Sequence, residues 1–167
     1  MAIKIYGRLS SANVQKINWF CEYADINVIN LNYGGIHGKT QTTEFKDMNP
    51  NSRVPVLDDD NFILYESNAI LRYLSKKFDI LVEEQKEISA KIDQWIDWGS
   101  FTFASPCSLL TAHKLSLPQD QRDELIADKA KNDILSLLNI LNIHLTKKNF
   151  IVDEKFSLAD IPLGIWC

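Results

Sequence analysis

Ser52–Leu74, reading SRVPVLDDDNFILYESNAILRYL, holds the residues whose types and spacing best suit ligand chemistry. Pro55 stands between Val54 and Val56, where a strand needs a ladder donor that proline lacks. A trans Pro55 would simply begin an edge strand. A cis Val54–Pro55 bond would instead turn the Val54 N–H and C=O outward, where an extended, peptide-like ligand can pair with them. Further on, Glu66 and Ser67 open a helical pattern. Ser67 is a good helix cap, and an acidic Glu66 suits the positive end of the helix dipole. The same helix start is an anion site, so Ser67 can equally seat a ligand carboxylate while Glu66 accepts from a ligand ammonium.

Other side chains offer less. Cys21, Cys107 and Cys167 are far apart, with no CxxC pair and no Cys/His group at metal spacing. Cys21 falls on the buried side of a helical pattern and reads as a structural thiol. His37, His113 and His144 are scattered, and none lies where it would serve a Ser or Cys as base. No metal is expected.

These residues need elements to position them. The 167 residues suffice for one domain or two small ones, with 46% hydrophobic and 24% charged side chains. Eighteen basic against 22 acidic residues give a net charge of −4 and no basic block, so nucleic acid is not an expected partner. Neither an apolar signal segment nor a run long enough for a bilayer is present, and the expected location is cytoplasmic.

IKIYG (3–7) reads as a strand and SANVQKINWFCEYAD (11–25) as a helix with Ser11 as its N-cap. INVINLN (26–32) reads as a second strand, and a loop with one helical turn near 43–48 follows. VPVLD and NFILYE form a hairpin across Asp58-Asp59-Asp60, and SNAILRYLSKKF (67–78) closes the unit as a helix. The order β-α-β-α-β-β-α implies one parallel pair across a crossover helix. From about Glu83 the chain is helical throughout. Residues 120–148 read as one long amphipathic helix after Pro118, with Leu125, Leu135, Leu138 and Leu141 among its apolar positions. FSLADIPLGIWC starts a last helix with Ser157 and Asp160 at capping-box spacing. The fold class is therefore α/β followed by all-α. An N-terminal domain over 1–79 and a helical domain over 84–167 are expected. The second is expected to be incomplete, since the chain stops on an apolar Ile-Trp-Cys.

NPNSRVPVLDDDNFILYESNAILRYL resembles the glutathione-binding, thioredoxin-like half of the cytosolic glutathione S-transferases. YGRLSSANVQKINWFCEY resembles the first strand and helix of their bacterial theta- and beta-like members, and QWIDW and FSLADIPLGIW resemble their helical domain. The resemblance spans essentially the whole chain in the right order. It implies a glutathione transferase that adds the glutathione thiolate to a small hydrophobic electrophile, acting as a homodimer with glutathione as co-substrate and no metal.

Residue by residue, the resemblance implies that Val54, before a cis Pro55, pairs with the cysteinyl backbone. Glu66 and Ser67 hold the γ-glutamyl ammonium and carboxylate. Arg53, or His37 and Lys39 of the preceding loop, meets the glycyl carboxylate. The thiol donor is Ser11, with Ser10 and Asn13 as alternates; for Ser11 the N-cap role stays open. Tyr6 lies on the strand, away from the family's Tyr donor, and no Cys occupies the turn. Tyr6, Trp98, Phe101 and Phe103 are candidates for the electrophile pocket, though an aromatic stripe at helical spacing also serves a core. The same site also suits disulfide or peroxide reduction. A non-catalytic module that uses the fold for binding is the reading from another class.

Overall fold

The computed structural model describes residues 3–167. They form two compact units, one extending to Val82 and the other Glu83–Cys167.

In the first unit β1 (Ile3–Tyr6), α1 (Ala12–Tyr23) and β2 (Val28–Leu31) make the crossover that the alternation of patterns predicts. α2 (Thr43–Met48), β3 (Val56–Asp59), β4 (Phe62–Tyr65) and α3 (Ser67–Phe78) complete the β-α-β-α-β-β-α order. The sheet runs β2-β1-β3-β4, with β1 parallel to β2 and the other pairs antiparallel. Val14, Ile17, Phe20 and Cys21 of α1 and Ile70, Leu71 and Leu74 of α3 are buried with Ile5, Val56 and Leu57 of the sheet. α1 and α3 also pack against each other. Tyr33 stacks on Phe45 and meets Tyr6 edge-on, tying the loop after β2 and helix α2 to the sheet.

The hairpin differs from the expected one. β3 continues through Asp59, and the turn is Asp60-Asn61, both at positive φ (56° and 70°) as a primed turn requires. Asp58 and Asp59 are therefore strand residues, buried because each has partners. Asp58 accepts from Lys4 at 3.0 Å and from the Asn61 N–H at 2.9 Å. Asp59 accepts from Lys77 and from Tyr73. Burial opposes the Asp59 charge, but the Lys77 and Tyr73 hydrogen bonds outweigh it and hold its carboxyl below the usual range.

The second unit contains α4 (Lys86–Asp97), α5 (Ala104–Thr111), α6 (Glu124–Leu145) and α7 (Asp160–Gly164). α4 runs into α5 through a wider π-type stretch, Trp98–Phe103. Three expectations need correction here. The long helix starts at Glu124, because Asp123 caps it by accepting from the Leu125 and Ile126 N–H groups. Its apolar positions are not all core, since Leu125 is 81% and Leu135 55% exposed while Leu141 is buried. The Ser157/Asp160 pair is bonded, but the last helix begins at Asp160 and not at Ser157, and the Asp160 N–H donates to the Ser157 carbonyl instead of its hydroxyl. Asp160 Oδ2 accepts from the Ser157 N–H and hydroxyl, and Asp160 Oδ1 accepts from the Ile151 N–H at 2.8 Å. No helix among the described residues is long and apolar enough to cross a membrane.

Gly7 follows β1 directly, donates its N–H to the Leu31 carbonyl at 2.8 Å, and has no room for a methyl group, which would collide with Val14 Cγ2. Gly7→Ala must push α1 off the sheet. It is expected to lower unfolding stability by about 1–3 kcal/mol, measured by urea denaturation.

Candidate functional site

The two stretches that matter for chemistry meet within the first unit. Ser67, 7% exposed, donates its hydroxyl to Asn13 Oδ1 at 3.3 Å, so the first turns of α1 and α3 lie side by side. Neither helix is capped in the expected way. α3 begins on Ser67 itself, and Glu66 occupies the cap position at φ 71°, ψ 112° without a side-chain capping bond. Such a backbone costs about 1–3 kcal/mol in a residue with a Cβ and is typical of positions constrained for another purpose. Ser11 does stand at the N-cap of α1, and its carbonyl accepts from the Val14 and Gln15 N–H groups. Its hydroxyl makes no capping bond. A hydroxyl and a set of unpaired N–H groups thus share one helix end.

That end opens onto a depression of about 280 Å³ lined by Arg8, Ser11, Asn13, Arg53, Val54 and the Gly34-Gly35 pair. The Val54–Pro55 bond on its rim is cis. The loop before it is held by Asn49, which is 3% exposed. Its amide donates to the Arg53 carbonyl at 2.8 Å and accepts from the Asn51 N–H at 3.0 Å. Asn49 was not legible as a site residue, because one Asn in an Asn/Pro/Ser loop carries no distinguishing pattern.

Arg8 is the other residue that sequence reasoning missed. A Cβ on Gly35 would stand 2.9 Å from Arg8 Cδ, and one on Gly34 would stand 3.2 Å from Arg8 Nη1. Both glycines have positive φ (79° and 56°), so the pair supplies the backbone shape and the space that seat this guanidinium. The depression therefore has two basic lining residues, Arg8 and Arg53, and no acidic one. His37 and Lys39 are exposed and do not line it; Lys39 lies 5.2 Å over the Tyr33 ring. Ser10 is exposed in the same turn as Ser11.

The four aromatic candidates are in different situations. Tyr6 packs on Tyr33 at a centroid distance of 5.1 Å. Phe103 is fully buried and stacks on Trp98 at 5.7 Å, so its ring belongs to the core of the second unit. Phe101 is 78% exposed. Cys21 is buried, and burial pushes its thiol up to about 12, which keeps it unreactive.

Lys16, one turn beyond Asn13 on α1, is only 2% exposed. Burial pushes its ammonium down to about 8, an effect only partly opposed by the Glu66 carboxylate. The helical pattern of α1 could not show this, because lysine at that position reads as a solvated residue.

Residues 1–76 match the family model described as "Glutathione S-transferase, N-terminal domain", and residues 102–163 match "Glutathione S-transferase, C-terminal domain". The "Glutathione S-transferase GstB" of Escherichia coli (strain K12) is 28% identical over 166 residues, covering 97% of this chain and 80% of that protein. A solved theta class glutathione S-transferase from Xanthomonas axonopodis pv. citri, with glutathione bound, superposes with a TM-score of 0.92 at 34% identity. The match covers 98% of this chain and 79% of that one. The "Elongation factor 1-gamma" of Danio rerio is 35% identical over 115 residues, 68% of this chain and 25% of that protein.

Because the folded-state value of Lys16 lies below its unfolded value of about 10.4, the unfolded chain holds the extra proton between the two. Its burial therefore destabilises fully below about pH 8, and stability recovers as pH rises toward about 10.4. Lys16→Met is expected to raise stability at pH 7 by up to about 3 kcal/mol. The gap from the native chain should close as pH approaches 10, followed by urea unfolding across that range.

Proposed function

The chain belongs to the glutathione S-transferase family, and from that premise we propose that it binds glutathione in the first unit and transfers it to small electrophiles. The observation that supports this most is the Ser11 hydroxyl. It heads α1, caps nothing, and lines the same depression as Val54. A thiol has a pKa near 8.5, and lowering it by about two units corresponds to roughly 2.7 kcal/mol of preference for the thiolate. A hydroxyl hydrogen bond together with a helix N-terminus is a source of that size.

In this reading the Val54 backbone pairs with the cysteinyl unit, and Ser67 takes the γ-glutamyl carboxylate beside Asn13. Glu66, at the cap position of α3, takes the γ-glutamyl ammonium. Arg8 joins Arg53 at the glycyl carboxylate in place of the loop residues His37 and Lys39, which lie outside the depression. Ser11 donates to the thiolate sulfur, with Ser10 and Asn13 as neighbours in the same turn. The thiol proton leaves to solvent, a sulfur lone pair forms the new S–C bond, and the leaving group departs with the electron pair of the broken bond. Phe101 is the expected aromatic whose side chain remains open to an electrophile. A homodimer and a cytoplasmic location form part of the same proposal.

The similarity to elongation factor 1-gamma, over 68% of this chain, favours a second reading from a different class. In it the fold serves as a binding module without turnover.

Calorimetry with glutathione separates the two. Saturable binding that weakens at least tenfold in Ser67→Ala, with retention on immobilised glutathione, supports the transferase; folded protein without any binding leaves the module. Ser11→Ala is expected to lower turnover of an activated aryl chloride about 100-fold, an effect of about 2.7 kcal/mol. Its Kd for S-methylglutathione, which has no thiol to ionise, should hardly change. γ-Glutamylcysteine, which lacks the glycyl carboxylate, should bind the native chain about tenfold more weakly than glutathione, and Arg8→Met should erase that preference.

A further inference from the structure

A second depression, of about 390 Å³, lies in the first unit, between the last turns of α1 and strand β2. It shares no residue with the depression beside Ser11. Asn18, Cys21 and Glu22, spaced three and four residues apart on one face of α1, form one wall, with Asp25 just past the helix. Val28 and Asn30 of β2 form the other.

β2 is an edge of the sheet, paired with β1 alone. The Gly7 N–H donates to the Leu31 carbonyl, so Leu31 and Ile29, two residues back, direct their main-chain groups to β1. Val28 and Asn30 alternate with them and direct N–H and C=O outward, where no hydrogen bond meets them among the described residues. Edge strands are ordinarily blunted by lysine, proline or a bulge. INVINLN (26–32) holds no charged residue and no proline, and its pairing with β1 runs unbroken from Val28 to Leu31. Short length is what limits this edge.

The charge beside it is one-sided. Glu22 and Asp25 are exposed, neither is in an ion pair among the described residues, and the lining holds no basic residue. Both stand at the C-terminal end of α1, where the helix dipole is already negative and an acidic side chain destabilises. The last turn has no basic residue to offset them, so helix stability does not account for their presence. Asn18 adds a buried Oδ1 that no donor among the described residues meets. Negative potential and unused acceptors therefore lie beside an open strand edge.

We propose that β2 binds an extended basic peptide, which adds a strand to the sheet and seats an Arg or Lys side chain in the depression against Glu22 and Asp25. Main-chain hydrogen bonds to Val28 and Asn30 supply affinity. Strand alternation places every second peptide side chain on the α1 side, where the carboxylates select a cation. No covalent bond changes, and the glutathione reading is not required.

Fluorescence anisotropy of the full chain with a labelled, amidated hexapeptide alternating Val and Arg tests this. One saturable site per chain is expected, unaffected by saturating S-methylglutathione. Two N-methylated versions, one blocked at every Val and one at every Arg, separate strand pairing from charge attraction. Only one of these sets of N–H groups can face β2, so one version should lose at least tenfold in affinity while the other keeps it. The peptide alternating Val and Glu should bind at least tenfold more weakly. Glu22→Gln combined with Asp25→Asn alters two exposed side chains, so the unfolding midpoint should not fall while peptide affinity drops at least tenfold. Absence of saturable binding, equal affinity of the two N-methylated peptides, native affinity in the double variant, or displacement by S-methylglutathione would each overturn the proposal. So would a peptide affinity that falls as chain concentration rises, which would give the edge to a second copy.

Discussion

The first unit depends on how closely α1 can approach the end of β1. Gly7 makes this possible, because a side chain there would run into Val14 on the first turn of the helix. With α1 seated, Val14, Ile17, Phe20 and Cys21 close over the sheet and the helix N-terminus comes alongside the start of α3. Hydrophobic burial supplies the driving force and steric clearance at one residue sets the position. Lys16 is carried inside by the same seating. A charged side chain is tolerated in that position because the apolar face around it gains more than the ammonium loses.

What was legible in the chain follows from which signals are local. Strand and helix order could be read because periodicity is a property of neighbouring residues, and the crossover helix followed from handed connection rules. The reading of Asp58-Asp59-Asp60 as a turn misjudged two of its members. Acidic runs usually solvate, but Asp58 and Asp59 are buried because Lys4, Lys77 and Tyr73 reach them from elements far away in sequence. Leu125 and Leu135 failed in the opposite direction, since helical spacing states which residues share a face and not what covers that face.

The candidate site shows the same division. Glu66, Ser67, Pro55 and Ser11 stood out because their types are unusual for their local positions. Arg8 and Asn49 did not stand out, because their importance lies in tertiary packing. Arg8 is recognisable only with Gly34 and Gly35, some 26 residues away along the chain, and Asn49 only through the four-residue loop that it bridges. Ser67 does mark the start of α3, but of the two roles open to it the capping one is not taken. Its hydroxyl faces Asn13 on another helix and caps nothing.

Uncapped helices at this point have a direct physical consequence. A side-chain cap would satisfy the first N–H groups of α1 from within and neutralise part of the dipole where an anion is to bind. Leaving Ser11 and Glu66 without capping bonds costs the isolated helices about 1 kcal/mol each, yet keeps donors and positive potential available to a ligand. Two arginines on the rim extend that potential with no carboxylate in the lining to cancel it. The lining therefore favours an anionic ligand over a cationic one.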